Sequence, residues 1–262
     1  MRASHGLLRL VTVAALAASA RDAQAAAPWV DRKLTLPASD WAFDFGLGIA
    51  HVPAPETGVG ANAEMAVGLT DRVELGLRTG LRFGDPAERG THADQYGRLF
   101  DRQYFGGGDD VLANPELRVR GGLVRGEVFE LGLEGRLIVP IELGTDAGLL
   151  FGVPLAFHLG DRVRLDTGGY VPVHLGNGGY ASLSVPLDVW IQASPRLWLG
   201  PMTGVVFNRL GDARASNTVS IGFGLGYAIT HYLDFKTMFL FPDISDDTRV
   251  FGLGAGIQIR IE

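Results

Sequence analysis

Residues able to act as nucleophiles or metal ligands are scattered along the chain. None of the serines considered stands in a Gly-x-Ser-x-Gly context, which would place an activated hydroxyl on a sharp turn. The histidines fall in separate segments and form no paired motif at metal-ligand spacing. These residues are Ser182, Ser184, Ser220, His158, His174 and His231. We therefore expect neither an enzyme nor a metal centre.

Glycine-rich and acidic stretches are the other candidates for binding chemistry. The run from Gly222 to Gly226 lacks the GxGxxG spacing of phosphate-binding loops, and no helix is predicted after it. Acidic groups in the predicted loops lack the spacing of a calcium loop and are interpreted as solvated charge. They are Asp109, Asp110, Asp243, Asp246 and Asp247. No cofactor is expected.

Charged residues recur at every second position over long stretches. Between Val73 and Phe83 the even positions hold Glu, Gly or Arg, whereas the odd positions are mostly branched or aromatic. Successive side chains of an extended chain point to opposite faces, so this spacing collects the charges on one face. We expect that face to line the lumen of a barrel. The predicted lumen-lining residues are Glu64, Glu74, Arg78, Arg82, Glu116, Arg118, Arg120, Glu130, Glu134, Arg136, Arg162, Arg164, Asp166, Asp188, Asp234, Lys236 and Arg260.

Twelve predicted strands position these residues. Most are longer than the about five or six residues usual in soluble sheets. Their length suits the roughly 9 to 11 residues that a tilted strand needs to cross a membrane. The strands lie near residues 41–52, 57–70, 72–84, 113–122, 127–140, 149–159, 162–175, 180–192, 196–208, 217–230, 232–241 and 249–261. The pattern predicts an all-β fold, a single antiparallel up-and-down transmembrane barrel.

The connections between the strands alternate between short and long. Tight turns are predicted at 70–72, 160–161, 194–195 and 230–232, with a slightly longer one at 122–126. The longer links are 53–56, 85–112, 142–148, 176–179, 209–216 and 242–248. Outer-membrane barrels have short periplasmic turns, long outer loops and an even number of strands. Both termini of the barrel are therefore predicted to be periplasmic.

The N-terminus is typical of a secretory signal peptide. Arg2 and Arg9 precede an apolar run that is too short to span a membrane, and a small-residue triplet ends at Ala25. Cleavage is predicted after Ala25. The chain then divides into a signal peptide, 1–25, a periplasmic segment, 26–40, and a barrel domain, 41–262.

Composition excludes several classes of protein. The 262 residues contain no cysteine, so disulfide frameworks and thiolate metal sites are excluded. The formal net charge is −6, and loss of the signal peptide makes the balance more acidic. Nucleic-acid binding needs a basic surface and is not expected. The expected partners are outer-membrane lipid and small solutes.

The region from about residue 41 to the C-terminus resembles the bacterial outer-membrane β-barrel class, loosely its porin-like channels. The resemblance rests on strand length, on the alternation of short and long connections, and on the alternating apolar C-terminal strand from Phe251 to Glu262. It departs from the class at Glu262, because many members end on an aromatic residue. The resemblance implies a place in the outer membrane of a Gram-negative envelope.

Three functions stay open at this point. The charges either border a narrow channel for small polar solutes or pair into salt bridges that close a structural or surface-interaction barrel. A soluble exported barrel that holds an apolar ligand has the same alternation with its faces reversed. Glycines at 222, 224, 226, 252, 254 and 256 share the polar face and predict unfilled space, which favours the channel.

Two further features bear on the membrane reading. Aromatic residues near the predicted strand ends suggest the girdles of a membrane barrel. They are Trp41, Trp190, Trp198, Tyr180, Tyr232 and Phe241. The long link 85–112 is predicted either to fold into the lumen as a constriction or to lie outside as a surface loop.

Overall fold

Apolar and polar residues alternate along the strands of this protein. Only an extended chain places these two kinds of side chain on opposite faces. The computed structural model describes residues 28–51, 57–83, 114–141, 146–176, 179–212, 216–244 and 249–262. The predicted signal peptide, 1–25, and the predicted loop, 85–112, lie outside these residues. None of the helices described is long and apolar enough to span a bilayer.

Within the described residues, twelve antiparallel strands close into one barrel in which neighbours along the chain pair with each other. Closure comes from pairing of the first strand with the last, from Trp41 opposite Ile261 to His51 opposite Phe251. The strands are β1 (Trp41–His51), β2 (Thr57–Thr70), β3 (Val73–Phe83), β4 (Glu116–Arg125), β5 (Phe129–Ile138), β6 (Gly148–Leu159), β7 (Val163–His174), β8 (Leu183–Gln192), β9 (Leu197–Asn208), β10 (Ser216–Ala228), β11 (Leu233–Phe241) and β12 (Phe251–Ile261). The predicted fold class and strand number are confirmed.

The predicted turn at 122–126 is wrong. Strand β4 continues to Arg125, which pairs with Glu130, and the register shifts between Gly122 and Val124. The glycines that suggested a turn therefore occupy a β-bulge, where the strand takes in an extra residue without ending. The turn itself follows at 126–128.

The two faces of the wall differ sharply in composition. Large apolar side chains are exposed on the outside in most strands, with Leu47 at 66% and Leu133 at 50%. Charged side chains point inward, and Glu74, Arg120 and Asp166 are completely buried. A soluble barrel would show the opposite distribution. An apolar outer belt over a charged interior suits a wall surrounded by lipid.

The two ends of the barrel also differ. Short links at 71–72, 126–128, 160–162, 193–196 and 229–232 meet at one end, here called the turn end. Strand β1 begins and β12 ends there as well, because every hairpin reverses the chain. The other ends of the strands meet at the opposite end of the barrel, here called the loop end.

Candidate functional site

The interior of the barrel holds most of the residues predicted to line a lumen. Buried there are Glu64, Glu74, Arg78, Glu116, Arg118, Arg120, Glu130, Glu134, Arg136, Arg164, Asp166, Asp188, Asp234 and Lys236. Arg260 is partly exposed near the turn end. Arg162 lies exposed in the turn before β7. The side chain of Arg82 is outside the described part of the structure.

A first group of interior charges is organised around Arg118 of β4. Its guanidinium lies 2.7 Å from the Glu64 carboxylate and 2.9 Å from that of Glu74. To reach Glu64 on β2, Arg118 must pass over β3, where Gly76 leaves the necessary room. A Cβ at Gly76 would lie 3.0 Å from Nε and Nη2 of Arg118. One arginine thus contacts two buried carboxylates on two different strands.

A second group runs along β3, β4 and β5. Glu116 accepts hydrogen bonds from Arg78 and, at 3.3 Å, from Arg136. Glu134 accepts from Nε of Arg136 and Nε of Arg120, each at 2.6 Å. Charges of opposite sign therefore alternate along this wall. Such charge-assisted bonds fix side-chain orientation as well as contributing energy.

The remaining wall follows the same rule with fewer groups. Lys236 of β11 pairs with Asp44 of β1 across β12, and Arg164 pairs with Asp166 at 2.8 Å on one strand. Each of these pairs lies within one strand, between neighbouring strands or between strands separated by one other. They line the wall and do not bridge the centre of the lumen.

The centre of the turn end is occupied by residues 28–40, here called the inner segment. The sequence predicts a periplasmic segment before the barrel, and the structure folds its described part into the barrel itself. Trp29 is only 2% exposed and stacks on Trp198 of β9, with ring centroids 4.8 Å apart. Trp190 of β8 meets Trp29 edge-on at 6.2 Å. This aromatic cluster is the main apolar core inside the described barrel.

Wall carboxylates bind the backbone of the inner segment. Leu34 N–H donates to Glu130 Oε2 and Leu36 N–H donates to Glu74 Oε2, both at 3.0 Å. In the opposite sense, Arg120 donates to the Leu34 carbonyl at 3.2 Å. Buried backbone groups of an irregular segment need such partners. The charged wall therefore supplies the hydrogen bonds that a neighbouring strand would otherwise provide.

His158 of β6 joins the inner segment to the wall. Its Nδ1 lies 2.6 Å from the Val30 carbonyl oxygen, and its Nε2 lies 2.7 Å from Glu130 Oε1. Both ring nitrogens therefore have a partner, one on the inner segment and one on the wall. The histidine is a structural link in this arrangement.

The inner segment joins the wall beside β2. Ser39 N–H donates to the Gly68 carbonyl at 2.8 Å, and Gly68 N–H donates to Asp40 O at 2.9 Å. A Cβ at Gly68 would lie 1.9 Å from the Pro37 carbonyl oxygen. Only glycine allows the segment to approach the strand this closely.

The glycines of β10 do not border unfilled space, contrary to the prediction. A Cβ at Gly226 would lie 2.1 Å from ring atoms of Trp198, and one at Gly224 would lie 2.6 Å from Trp190. The two indoles take the room that the glycines leave. Trp190 and Trp198 were also predicted to form part of a girdle, and this is wrong because both are buried inside. Both tryptophans occupy even-numbered positions, like the inward-facing Asp188, and this alternation could have revealed that they lie inside.

The candidate nucleophiles and ligands have structural roles where their contacts are described. The Ser182 hydroxyl accepts a hydrogen bond from Arg209 N–H at 3.2 Å, and the Ser220 hydroxyl is 3.5 Å from the Gly204 carbonyl. Among the described residues, no cluster of three or more His, Asp or Glu could hold a metal ion. His174 lies 3.6 Å from Asp146 near the loop end.

This chain resembles known proteins in its fold and not in its sequence. No family model and no curated protein matches the sequence. An outer-membrane channel from Pseudomonas putida F1 matches with a TM-score of 0.60 and 16% identity, covering 87% of this chain and 97% of its own. NanC porin matches with a TM-score of 0.59 and 8% identity, covering 84% and 100%. KdgM porin matches with a TM-score of 0.54 and 9% identity, covering 84% and 99%. The chain, a twelve-stranded barrel, therefore shares the fold of these solved outer-membrane porins and channels.

Proposed function

We propose that this protein is an outer-membrane channel for small polar solutes, exported through a signal peptide that is cleaved after Ala25. The carrying observation is a closed wall with exposed apolar side chains outside and paired charges of both signs inside. Such a wall places lipid on one side and polar groups on the other. The porin and channel names of the similar structures support the same class.

The path through the barrel is narrow in this proposal. The inner segment fills the turn end with Trp29, Val30, Leu34 and Leu36, all of which are buried. Solutes pass beside the segment or as it moves. Because cations and anions alternate along the wall, the channel selects by size and polarity more than by net charge.

The proposal includes no enzymatic activity. Ser182 is completely buried, and its oxygen is used to bind a backbone N–H group. A nucleophile must instead be accessible and paired with a base.

Outer-membrane lipid is the partner that the exposed apolar belt fits.

A closed structural barrel is the second candidate function. The inner segment favours it, because wall carboxylates and aromatic rings hold the segment across the turn end. The two candidates differ in one measurable property, the passage of ions.

Planar-bilayer conductance separates them. The mature chain, residues 26–262, should give stable conductance steps, and a variant lacking residues 26–40 should give larger ones. Heat-modifiable gel migration would first establish that each barrel has folded. If folded barrels of both kinds insert without any conductance, the channel is ruled out and the closed barrel is favoured.

Charge substitution adds a matched control. Arg78→Ala removes an interior cation and leaves Glu116 with its second arginine, Arg136. We expect the reversal potential in a salt gradient to shift toward cation preference. Arg162→Ala removes an exposed turn arginine and should leave the potential unchanged. Equal shifts in the two variants would contradict a lumen path past Arg78.

A further inference from the structure

The inner segment inserts one positive charge into a pocket of the barrel wall. The Arg32 guanidinium lies 2.6 Å from Asp234 Oδ2 of β11 and 3.3 Å from Gln258 Oε1 of β12. The central guanidinium carbon, Cζ, lies 4.5 Å from the centre of the Trp29 ring and 5.5 Å from that of the Trp198 ring. A carboxylate, an amide oxygen and an aromatic face thus converge on one planar cation.

This arrangement is costly as a structural device. Burial and the positive charges of Arg260 and Arg164 lower the pKa of Arg32 to about 10, although Asp234 opposes the change. Asp234 is itself completely buried. A buried ion pair often stabilises a fold no better than apolar side chains of the same size. A buried charge held by a specific partner inside a cleft is an arrangement also used by binding sites.

The wall supplies the pocket independently of its occupant. Asp234, Gln258 and Trp198 belong to β11, β12 and β9, whereas Arg32 and Trp29 belong to the inner segment. Asp234 faces Gln258 in the strand register, so pairing of β11 with β12 brings the two together. Movement of the inner segment would open the Asp234 carboxylate, the Gln258 amide and the Trp198 ring at the turn end, with Arg260 of the wall 3.8 Å from Asp234 Oδ2.

We propose that this wall pocket binds solutes that carry a guanidinium group, in exchange for Arg32. The carboxylate matches the charge of the group, the amide oxygen accepts one of its N–H donors, and the indole covers its face. Arg32 is then the built-in occupant that a solute replaces. The role of the pocket in selecting solutes rests on the proposed channel, whereas the binding itself does not.

Binding can be measured in detergent, without any conductance. Arg32→Ala removes the occupant and leaves the wall intact. Guanidinium chloride at low millimolar concentration, with ionic strength held constant by sodium chloride, is the probe, and urea is its neutral counterpart of similar shape. We expect saturable quenching of tryptophan fluorescence and a raised melting temperature with guanidinium alone.

A second substitution tests the pocket itself. Arg32→Ala combined with Asp234→Asn should lose the response to guanidinium, whereas Arg32→Ala combined with Asp161→Asn, a change at an exposed turn carboxylate, should keep it. A response shared with urea, or one that survives Asp234→Asn, would overturn the proposal. So would the absence of any response in a folded Arg32→Ala barrel.

The unmodified chain keeps the test decisive if Arg32→Ala does not fold. In the unmodified chain guanidinium must compete with Arg32, whereas in Arg32→Lys it competes with a side chain that lacks the planar fork. Half-saturation of the unmodified chain should therefore require at least about tenfold more guanidinium than half-saturation of Arg32→Lys. Equal half-saturation in the two chains would refute the exchange. Saturable binding without conductance would support the pocket and contradict the channel, and conductance without binding would do the reverse.

Discussion

Substitution of Gly226 by alanine tests whether the tryptophans fill the interior beside β10. The added Cβ would lie 2.1 Å from Cε2 and Cζ2 of Trp198, which are atoms of a rigid ring. Trp198 is buried and stacked on Trp29, so its ring has little room to retreat. The substitution should therefore push the indole out of the stack and loosen the inner segment.

The magnitude follows from two opposing effects. Overpacking of a buried site costs about 1–3 kcal/mol. Replacement of glycine by alanine within a strand otherwise gains roughly 0.5–1 kcal/mol, because the unfolded chain loses freedom. Gly226→Ala should therefore have a free energy of unfolding about 1–3 kcal/mol below that of an alanine substitution in which only the second effect acts. Gly135→Ala is the matched control, since no heavy atom lies within 4 Å of its added Cβ.

Reversible urea unfolding in lipid vesicles would measure both variants, followed by tryptophan fluorescence and heat-modifiable migration. We expect Gly135→Ala to match or slightly exceed the unchanged protein and Gly226→Ala to fall below it. If both variants are equally stable, the tryptophans do not occupy the space over Gly226, and the account of the inner core is wrong.

Three further substitutions address the interior contacts. Trp29→Ala removes the stacked partner of Trp198, at a cost of about 3–5 kcal/mol, so amide hydrogen exchange in residues 30–36 should accelerate; unchanged protection would contradict docking through this ring. Glu116→Gln removes the anion that two buried arginines share and should lower the free energy of unfolding by about 3–5 kcal/mol in denaturant titrations. If high salt restored the free energy of unfolding in full, the site would be open to solvent and the reasoning from burial would be wrong. His158→Gln loses at least one of two buried contacts, about 1–3 kcal/mol by the same titration, and a neutral result would remove the histidine as a link.

The strand pattern is largely predictable because it depends on local geometry. Side chains two residues apart share a face whatever the rest of the chain does, so stretches such as Val73–Phe83 reveal themselves directly. The error at β4 arose because local sequence alone does not decide between two backbone conformations. Gly121 and Gly122 permit either a turn or a bulge, and the choice depends on the partner strand.

The interior charges were accessible from the sequence, whereas their pairing was not. Parity places Arg118 on the polar face, but its contact with Glu64 passes over β3 and depends on closure and on the space at Gly76. Alternation also does not state where a strand begins, so it does not separate Arg162, in the turn, from Arg164, in β7. Trp190 and Trp198 were assigned by their position near strand ends, when parity was the better guide.

Local alternation thus suffices for the number of strands, their approximate bounds and the membership of the two faces. Which face points outward depends on the curvature of the closed wall, a property of all twelve strands together. The inner segment is the clearest case of this dependence. Trp29 and Leu36 carry no periodic pattern of their own, and they are buried only because strands distant in sequence assemble carboxylates and indoles around them.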